Sequence, residues 1–276
     1  MTRGTLPFIK AVGAGNDFVV LDEADRAIGP DLSRLSPALC CRRTGIGADG
    51  LLVIRRGSIP YMECWNADGS RAESCGNGLR IVAMVLREGG YSEETIRTDS
   101  GPVQVHFDEA DPDGAFSVEV SLGTPKVDAP RNILVGTSDL QVTPVSIGNP
   151  HLVVPVDLDS TPESVARLGP ILEYSVPDRA NVGFVTVDSR VLIRLRVWER
   201  GCGETHACGT GAAAAFAALH RSDRVDDAID VEMPGGTLQV RLDDLGEVHL
   251  RGPVQICYRG EVNLENHHLS SDTSLG

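Results

Sequence analysis

Apolar and polar residues alternate along most of the chain, in short runs rich in β-branched side chains. An alternation with a period of two predicts β-strands. Gly, Pro, Asn and Asp separate the runs, and these residues predict turns between the strands. The runs that we interpret as strands are DFVVLD, GLLVIR, YMECWNA, PVQVHF, FSVEVSL, HLVVPV, NVGFVTV, VLIRLRVWE, TLQVRL, EVHLRG and VQICYRG.

Two segments instead carry residues that favour helices, GLRIVAMVLRE at 78–88 and TGAAAAFAALH at 210–220. Weaker helical patterns cover 32–41 and 162–168. Each strong helix follows a strand and a glycine turn that begins with cysteine, SCGNG or ACGTG. This repeat predicts two similar α+β units. We expect their boundary near 121–131, a stretch that holds two prolines.

The composition is that of a globular protein, and the apolar segments indicate its location in the cell. The chain has 276 residues, of which 41% are hydrophobic and 23% are charged, so it is long enough for a buried core. The net charge of −14 and the lack of basic clusters argue against a nucleic-acid partner. The first residues lack the features of a signal peptide, and no apolar run is long enough to span a membrane. We therefore expect a cytoplasmic protein without a membrane partner.

Seven cysteines in a chain of this length indicate free thiols in a reducing compartment. Cys75, Cys202 and Cys208 lie in glycine-rich loops. A zinc site built from Cys202, His206 and Cys208 is a weak alternative, because CGETHAC matches no common zinc motif. The other four cysteines lie among apolar or strand-like residues and are expected to be small buried side chains: Cys40, Cys41, Cys64 and Cys257.

A cysteine at the start of a helix combines two chemical properties. The free N–H groups and the dipole of the first turn stabilise a thiolate, and the same N–H groups bind a carboxylate. If Cys75 and Cys208 face one substrate, one thiolate can remove the α-proton of an amino acid while the other thiol returns a proton from the opposite side. Such an inversion needs no cofactor. A buried structural thiol or a non-catalytic redox or metal-binding module remains an alternative, and the repeat favours the two-base site.

The residues around both cysteines also resemble a known family, the diaminopimelate epimerases. The similar segments occur in the family's order and span most of the chain: GAGNDFVVLD (13–22), TGIGADGLL (44–52), NADGSRAESCGNGLR (66–80), IGNPHLVV (147–154), NVGF (181–184) and WERGCGETHACGTGA (198–212). The resemblance implies a cofactor-independent isomerase that converts LL-2,6-diaminopimelate into the meso form, in the synthesis of lysine and peptidoglycan precursors. It implies no metal.

The resemblance further implies an α+β fold of two pseudo-symmetric domains, each a mixed β-sheet wrapped around a central helix. The first domain would comprise 1–125 together with 258–276 and would carry Cys75. The second would comprise 126–257 and would carry Cys208. Members of the family are homodimers, and Tyr258 falls where the family has a tyrosine at the dimer interface.

The resemblance also assigns roles to individual residues. Cys75 and Cys208 become the two bases, and Glu199 and His151 flank the reacting carbon, hold the substrate amine and influence the ionisation of the thiols. The α-carboxylate is expected to bind the backbone N–H groups of Gly76, Asn77, Gly209 and Thr210.

The distal end of the substrate carries a second ammonium and a second carboxylate. A guanidinium can bind that carboxylate with two parallel hydrogen bonds, and asparagine side chains suit a zwitterion because they both donate and accept. The residues that the resemblance assigns to this end are Arg200, Asn16, Asn66, Asn149 and Asn181.

Some positions depart from the family pattern. Val12 stands where many members have His or Tyr, and Gly50 stands where some have Gln, so no binding role is assigned to Gly50. Cys202 and His206 are close enough in sequence to modulate Cys208. The nearest alternative function is a related racemase of another amino acid, such as histidine or proline. Arg200 and the asparagines favour a substrate with a second zwitterionic end.

Overall fold

The chain folds as a mixed β-sheet with helices, which confirms the predicted α+β class. The computed structural model describes residues 5–29, 31–72, 75–91, 94–107, 116–136, 138–156 and 162–264. Within these ranges it contains 18 strands and four helices. None of the helices in the described ranges is long and apolar enough to cross a membrane.

The elements follow one another in two series. The helices are α1 (Leu32–Cys40), α2 (Gly76–Glu88), α3 (Pro162–Glu173) and α4 (Gly209–Arg221). The strands of the first series are β1 (Thr5–Gly13), β2 (Asn16–Asp22), β3 (Gly50–Arg55), β4 (Tyr61–Asn66), β5 (Arg71–Ala72), β6 (Thr95–Thr98), β7 (Gly101–Phe107), β8 (Phe116–Ser121) and β9 (Lys126–Val127). Those of the second are β10 (Arg131–Val135), β11 (Ser138–Ser146), β12 (Pro150–Pro155), β13 (Asn181–Ser189), β14 (Leu192–Glu199), β15 (Gly203–Thr205), β16 (Ala228–Met233), β17 (Gly236–Leu242) and β18 (Val248–Asn263).

Strands of the first series close into a barrel together with β18. Their pairings run β1–β2–β3–β4–β6–β7–β8–β18 and return from β18 to β1. Helix α2 packs against β1, β2, β3, β4, β8 and β18. Every residue of α2 from Gly76 to Leu86 is buried, as expected for a helix whose surface is enclosed on all sides. Helix α2, which follows Cys75, therefore fills the interior of this barrel.

Helix α4 has a corresponding environment among the strands of the second series. The pairings run β9–β11–β12–β13–β14–β16–β17–β18. Helix α4 packs against β9, β11, β12, β13, β14, β17 and β18, and its residues from Gly209 to Leu219 are buried. Its run of four alanines at 212–215 lets the strands pack close to the helix backbone.

Strand β18 connects the two sets of strands. Its residues 248–251 pair with β17, 249–254 pair with β8, and 254–263 pair with β1. The prediction of two separate strands, EVHLRG and VQICYRG, is therefore wrong. The chain continues as one strand through Pro253, which lies opposite Ser117 of β8. The proline suggested a break, but long-range pairing on both sides of it keeps the backbone extended.

The four predicted helices are confirmed, with different ends. Helices α2 and α4 begin at Gly76 and Gly209, because the Gly-x-Gly turns form the first helical turn. Helix α3 extends to Glu173 through Pro170, beyond its predicted end. Eight strands were not predicted from the alternation. Four of them are only two to four residues long, and two contain a proline, Pro7 in β1 and Pro144 in β11. The other two, β10 and β16, have neither feature.

Of the four cysteines that were expected to be buried, only two are buried. Cys40 and Cys64 are buried, whereas Cys41 and Cys257 are exposed. Cys41 follows the last residue of α1, where the chain leaves the helix. Cys257 lies on β18, where burial alternates along the strand and leaves this position outward. All seven cysteines are free thiols.

Candidate active site

The two glycine-turn cysteines are the N-caps of the two enclosed helices. Cys75 has an extended backbone, with φ −147° and ψ 95°, and its Sγ accepts a hydrogen bond from the N–H of Gly78 at 3.2 Å. Cys208 has nearly the same backbone, with φ −134° and ψ 109°, and its Sγ lies 3.6 Å from Oγ1 of Thr210. Both sulfurs therefore lie at helix ends that carry free N–H groups and positive potential.

The two helix N-termini touch each other. A Cβ added to Gly209 would lie 3.6 Å from Cα of Gly76 and 2.7 Å from Cδ2 of Leu250. The Cα of Gly76 is at ordinary contact distance, whereas Leu250 leaves no room for a side chain at Gly209. Nδ2 of Asn77 lies 3.4 Å from the backbone oxygen of Ala207, the residue before Cys208. The structure thus brings both cysteine motifs, about 130 residues apart in sequence, into one site.

The surroundings shift the pKa values of the two thiols in opposite directions. The pKa of Cys75 is lowered, first by a hydrogen bond from the Cys64 thiol and then by the Gly78 N–H and the charge of Arg80, against the effect of burial and of Glu199. Burial and the nearby charge of Glu199 raise the pKa of Cys208 well above its usual range. The surroundings therefore favour ionisation of Cys75 over ionisation of Cys208.

Glu199 lies at the end of β14, close to both sulfurs. Its carboxylate accepts hydrogen bonds from the hydroxyl of Thr205 and from the Cys208 thiol. Burial raises the pKa of Glu199, and its negative charge opposes a thiolate at either cysteine. One carboxylate thus influences both thiols.

His151 lies among the asparagines of the second series of strands. Its Nε2 is 2.9 Å from Oδ1 of Asn149 and 3.5 Å from Nδ2 of Asn181. Burial, reinforced by the charge of Arg200, lowers the pKa of His151 to about 3, so the imidazole is neutral at neutral pH. The backbone N–H of Arg200 donates to Oδ1 of Asn181 at 2.8 Å. His151 therefore contacts the asparagines expected at the distal end.

This group is joined to the Cys208 helix by weaker contacts. Nδ2 of Asn149 lies 3.4 Å from Oγ1 of Thr210, and that oxygen lies 3.6 Å from Sγ of Cys208. A continuous set of polar contacts therefore runs from the backbone of Arg200 through Asn181, His151 and Asn149 to the second thiol.

The two predicted binding residues from the first series of strands, Asn16 and Asn66, do not share one set of contacts. Oδ1 of Asn16 lies 3.4 Å from Nδ2 of Asn77, and Nδ2 of Asn16 donates to Asp49 at 2.8 Å. Asn66, at the end of β4, donates to Ser70 at 2.9 Å within its own turn. Within the described residues, the hydrogen bonds of Asn66 do not join it to the other predicted site residues.

Cys202 and His206 are exposed, whereas Cys208 is buried. Among the residues that the structure describes, the only His, Cys and carboxylate side chains close enough to share an ion belong to Asp243, Glu247 and His249, at the turn before and the start of β18. The side chains of the CGETHAC alternative do not form such a group.

Several neighbours of the thiols were not singled out from the sequence. Arg80 could have been recognised, because it is a lone charge inside the apolar helix LRIVAMVL. Cys64 lies on the same buried face of β4 as Met62, which the period-two pattern predicts, but its approach to Cys75 depends on the tertiary fold. Thr205 and Asp49 lie in the family-like segments 198–212 and 44–52, but nothing in those segments distinguishes them from their neighbours.

Comparison with known proteins places this geometry in context. A family model described as diaminopimelate epimerase matches residues 8–127 and 143–257. A diaminopimelate epimerase from Acidiphilium cryptum (strain JF-5) is 41% identical over 274 residues, covering 93% of this chain and 96% of that protein. An O-ureido-serine racemase from Streptomyces lavendulae is also 41% identical, over 283 residues, covering 94% and 96%. A hydroxyproline epimerase from Agrobacterium vitis has a similar fold, with a TM-score of 0.74 at 17% identity, covering 95% of this chain and 92% of that one.

Proposed function

The chain belongs to the diaminopimelate epimerase family, and on that premise we propose that it converts LL-2,6-diaminopimelate into meso-diaminopimelate without a cofactor. The reaction is an inversion at one α-carbon, so the protein is an isomerase. It supplies the meso isomer for lysine and peptidoglycan precursors, and it acts in the cytoplasm.

The observation that carries the proposal is the meeting of two cysteine N-caps at touching helix N-termini, where the surroundings shift the two thiol pKa values in opposite directions. A two-base inversion needs one deprotonated and one protonated group at the same time. The lowered pKa of Cys75 and the raised pKa of Cys208 favour that combination before any substrate binds.

In the proposed mechanism, the Cys75 thiolate removes the α-proton, and the electron pair of the C–H bond passes to the α-carbon. The Cys208 thiol then gives its proton to the opposite face of that carbon and becomes the thiolate. The backbone N–H groups of the first turns of α2 and α4 hold the α-carboxylate and stabilise the negative charge of the intermediate. The isomer that presents its α-proton to Cys208 requires the reverse protonation state.

Glu199 is proposed to keep the two thiols unequal. The hydrogen bond that it accepts from Cys208 supports the protonated form of that thiol. Its carboxylate is also the nearest anion available for the substrate ammonium. When the ammonium binds there, the charge of Glu199 is partly neutralised, which favours proton loss from a thiol at the moment when the substrate is present.

The distal end of the substrate is proposed to bind at Arg200 with the asparagines. Because His151 is neutral, it adds no charge to this part of the site, and the shorter of its two contacts, to Oδ1 of Asn149, orients that amide. Asn16 approaches from the first series of strands through its contact with Asn77. Asn66 is included in the binding set on the family resemblance.

We also propose that the fold works as two pseudo-symmetric domains, 1–125 with 258–276 and 126–257, each with its sheet around one central helix. The matched N-caps of α2 and α4 and the enclosure of both helices support this division. The assembly is proposed to be a homodimer with Tyr258 near the interface, and 49% of the surface of this side chain is exposed in the single chain.

A second candidate function comes from the similarity to the O-ureido-serine racemase. The two substrates differ at the end away from the reacting carbon, because a ureido group is neutral and the distal end of diaminopimelate is zwitterionic. The charge of Arg200 favours the substrate with a distal carboxylate.

A substrate panel tests the proposal. LL-diaminopimelate, O-ureido-L-serine, L-histidine and L-proline would be incubated separately with the purified protein, and chiral chromatography would follow the inverted products. We expect kcat/KM for diaminopimelate to exceed that for each other compound by about a hundredfold or more, and Arg200→Gln to remove most of this preference. Faster inversion of any other member of the panel would reject the proposed substrate.

A further inference from the structure

Arg80 is the largest side chain that is completely buried in the described part of the protein. It lies in α2 between the apolar residues Leu79 and Ile81. Its guanidinium donates to Oδ1 of Asn77 at 2.8 Å and to the backbone oxygen of Gly76 at 3.4 Å, while its Nε has no hydrogen-bond partner in the part of the chain that the structure describes. Arginine is seldom buried in this way, because an ion without a counter-ion is costly to remove from water.

Among the described residues, no carboxylate forms an ion pair with Arg80. Burial lowers the pKa of Arg80 to about 10, which still leaves it protonated at neutral pH, and the opposite charge that acts on it is that of the Cys75 thiolate. The contacts with Gly76 and Asn77 show that the guanidinium points back to the first turn of α2. The helix dipole already makes this end positive, so Arg80 adds positive potential where the thiolate forms.

Two glycines from other strands leave space for the guanidinium. A Cβ added to Gly252 of β18 would lie 3.3 Å from Cζ of Arg80, and one added to Gly13 of β1 would lie 3.7 Å from its Nη2. A side chain at Gly252 would crowd the guanidinium, whereas a Cβ at Gly13 would be in ordinary contact with it. The lack of a side chain at Gly252 therefore leaves the space that the cation occupies.

Through Asn77, Arg80 is linked to the second cysteine. The amide oxygen of Asn77 accepts from Arg80, and its Nδ2 lies 3.4 Å both from Oδ1 of Asn16 and from the backbone oxygen of Ala207. Once the oxygen of an amide is held, the direction in which its NH₂ donates is fixed. Arg80 thus determines how the Cys75 helix contacts the segment that precedes Cys208.

We propose that Arg80 is a positioning residue of the two-thiol site, which fixes Asn77 between the two cysteine motifs and supplies the buried positive charge that favours the Cys75 thiolate. This inference rests on the proposed function for its effect on turnover. Its effect on the ionisation of Cys75 requires no substrate and can be measured whichever amino acid the enzyme inverts.

Four groups act on the Cys75 sulfur from the elements around it: the Cys64 thiol of β4, the Gly78 N–H and the Arg80 charge of α2, and the Glu199 charge of β14. Without Arg80, the negative charge of Glu199 is no longer opposed by a buried cation. The pKa of Cys75 should then rise by about one unit, which lowers the thiolate fraction about tenfold at a pH below that pKa.

The test compares Arg80→Gln, Arg80→Lys and Arg87→Gln with the unmodified full-length protein. Arg87 is the matched control, because it is an exposed arginine in the last turn of the same helix. The rate at which iodoacetamide alkylates Cys75 would be measured against pH by mass spectrometry of the Cys75 peptide. Thermal unfolding would report the fold, and kcat and KM would be measured with LL-diaminopimelate.

We expect Arg80→Gln to raise the pKa of Cys75 by about one unit and to lower kcat about tenfold or more. Arg80→Lys keeps the cation, so the pKa of Cys75 should move by less than about half of that amount while kcat still falls, because the hold on Asn77 is lost. Arg87→Gln should change neither quantity.

The proposal is overturned if folded Arg80→Gln alkylates Cys75 with the unmodified pH profile, since a purely structural arginine would affect only the melting temperature. If Arg80→Gln does not fold, Arg80→Lys decides: normal kcat would contradict the positioning role. An unmodified protein in which Cys75 titrates at or above the usual value for a free thiol would also overturn it. A failure to turn over diaminopimelate with the pKa shift intact would reject only the proposed substrate.

Discussion

At the scale of single residues, two cysteines with the same chemistry and the same cap geometry differ because of their neighbours. Cys75 accepts hydrogen bonds from the Cys64 thiol and the Gly78 N–H, whereas Cys208 faces the carboxylate of Glu199. In the proposed mechanism, this difference prepares a base and an acid before the substrate binds. The substrate would then not have to create the separation of charge that the reaction needs.

Serine substitutions test the assignment of the two bases. We expect Cys75→Ser or Cys208→Ser to reduce epimerisation by about 10²–10⁴-fold, because a serine hydroxyl is a far weaker acid than a thiol. Cys208→Ser should still exchange the α-proton with solvent without inversion, since Cys75 remains intact. Cys202→Ser, an exposed neighbour in the same loop, serves as the control and should retain normal turnover. Normal epimerisation by both site variants would contradict the two-base mechanism.

The contact between Cys64 and Cys75 leads to a prediction about pH. Cys64→Val removes the thiol donor at similar volume, so the pKa of Cys75 should rise and the rise of kcat/KM with pH should move to higher pH. The thiolate is the active form of Cys75, so activity at the acidic end is lost first. Cys64→Ser retains a donor and should shift the profile less. A Cys64→Val profile identical to that of the unmodified protein would show that the contact has no effect on Cys75.

The sequence revealed the residues that are proposed to carry the chemistry more readily than the neighbours that contact them. Cys75 and Cys208 could be predicted because each stands in a glycine turn before a helix, a local pattern. Cys64 and Thr205 could not, because their contacts with Cys75 and Glu199 arise only when β4 and β15 meet the helix ends and the end of β14. Cys41 and Cys257 were wrongly expected to be buried, because their apolar neighbours in sequence do not reveal which way each side chain points.

At the scale of elements, the site depends on how closely three turns approach. A Cβ added to Gly235, in the turn between β16 and β17, would lie 2.3 Å from the backbone oxygen of Ala14 and 3.0 Å from that of His206. The N–H of Gly235 also donates to the oxygen of His206 at 2.8 Å. This glycine therefore joins the turn before Asn16 to the loop that leads to Cys208.

Gly235→Ala is expected to separate these turns. The new methyl group cannot be accommodated beside two backbone oxygens, so the free energy of unfolding should fall by about 1–3 kcal/mol and KM should rise because Asn16 moves away from Asn77. Gly57→Ala is the control, since its nearest neighbour would be an oxygen at 3.4 Å. Denaturant unfolding and steady-state kinetics would measure both effects, and unchanged values for Gly235→Ala would refute the role of this contact.

Helices were predicted more accurately than strands for a physical reason. The segments that became α2 and α4 contain good helix formers over three turns, and that signal is local. The short strands β5, β9 and β15 have only two or three residues, so their extended conformation depends on partners far away in sequence. The single strand β18 follows from the same rule, because its partners β17, β8 and β1 outweigh the break suggested by Pro253.

At the scale of the whole molecule, the proposed homodimer would cover part of the outer surface formed by β1 and β18. Tyr258 packs edge-on against Phe8, with ring centroids 6.0 Å apart, and still exposes half of its surface. A charge placed there would be buried without a partner in the dimer. We therefore expect Tyr258→Glu to shift the protein to a monomer in sedimentation velocity experiments, whereas Tyr174→Glu, at another exposed tyrosine, should leave the dimer intact. A monomeric unmodified protein would refute the proposed assembly.

The central claim is that two thiols on opposite sides of one carbon exchange its proton with solvent as they invert it. The most direct measurement is a short incubation with LL-diaminopimelate in deuterated water, with substrate and product separated and their α-deuterium determined by mass spectrometry. We predict meso product that carries one deuterium at the inverted carbon, while the remaining LL substrate at early times still holds its α-proton. Absence of meso product, or meso product that keeps the original α-proton, would contradict the account.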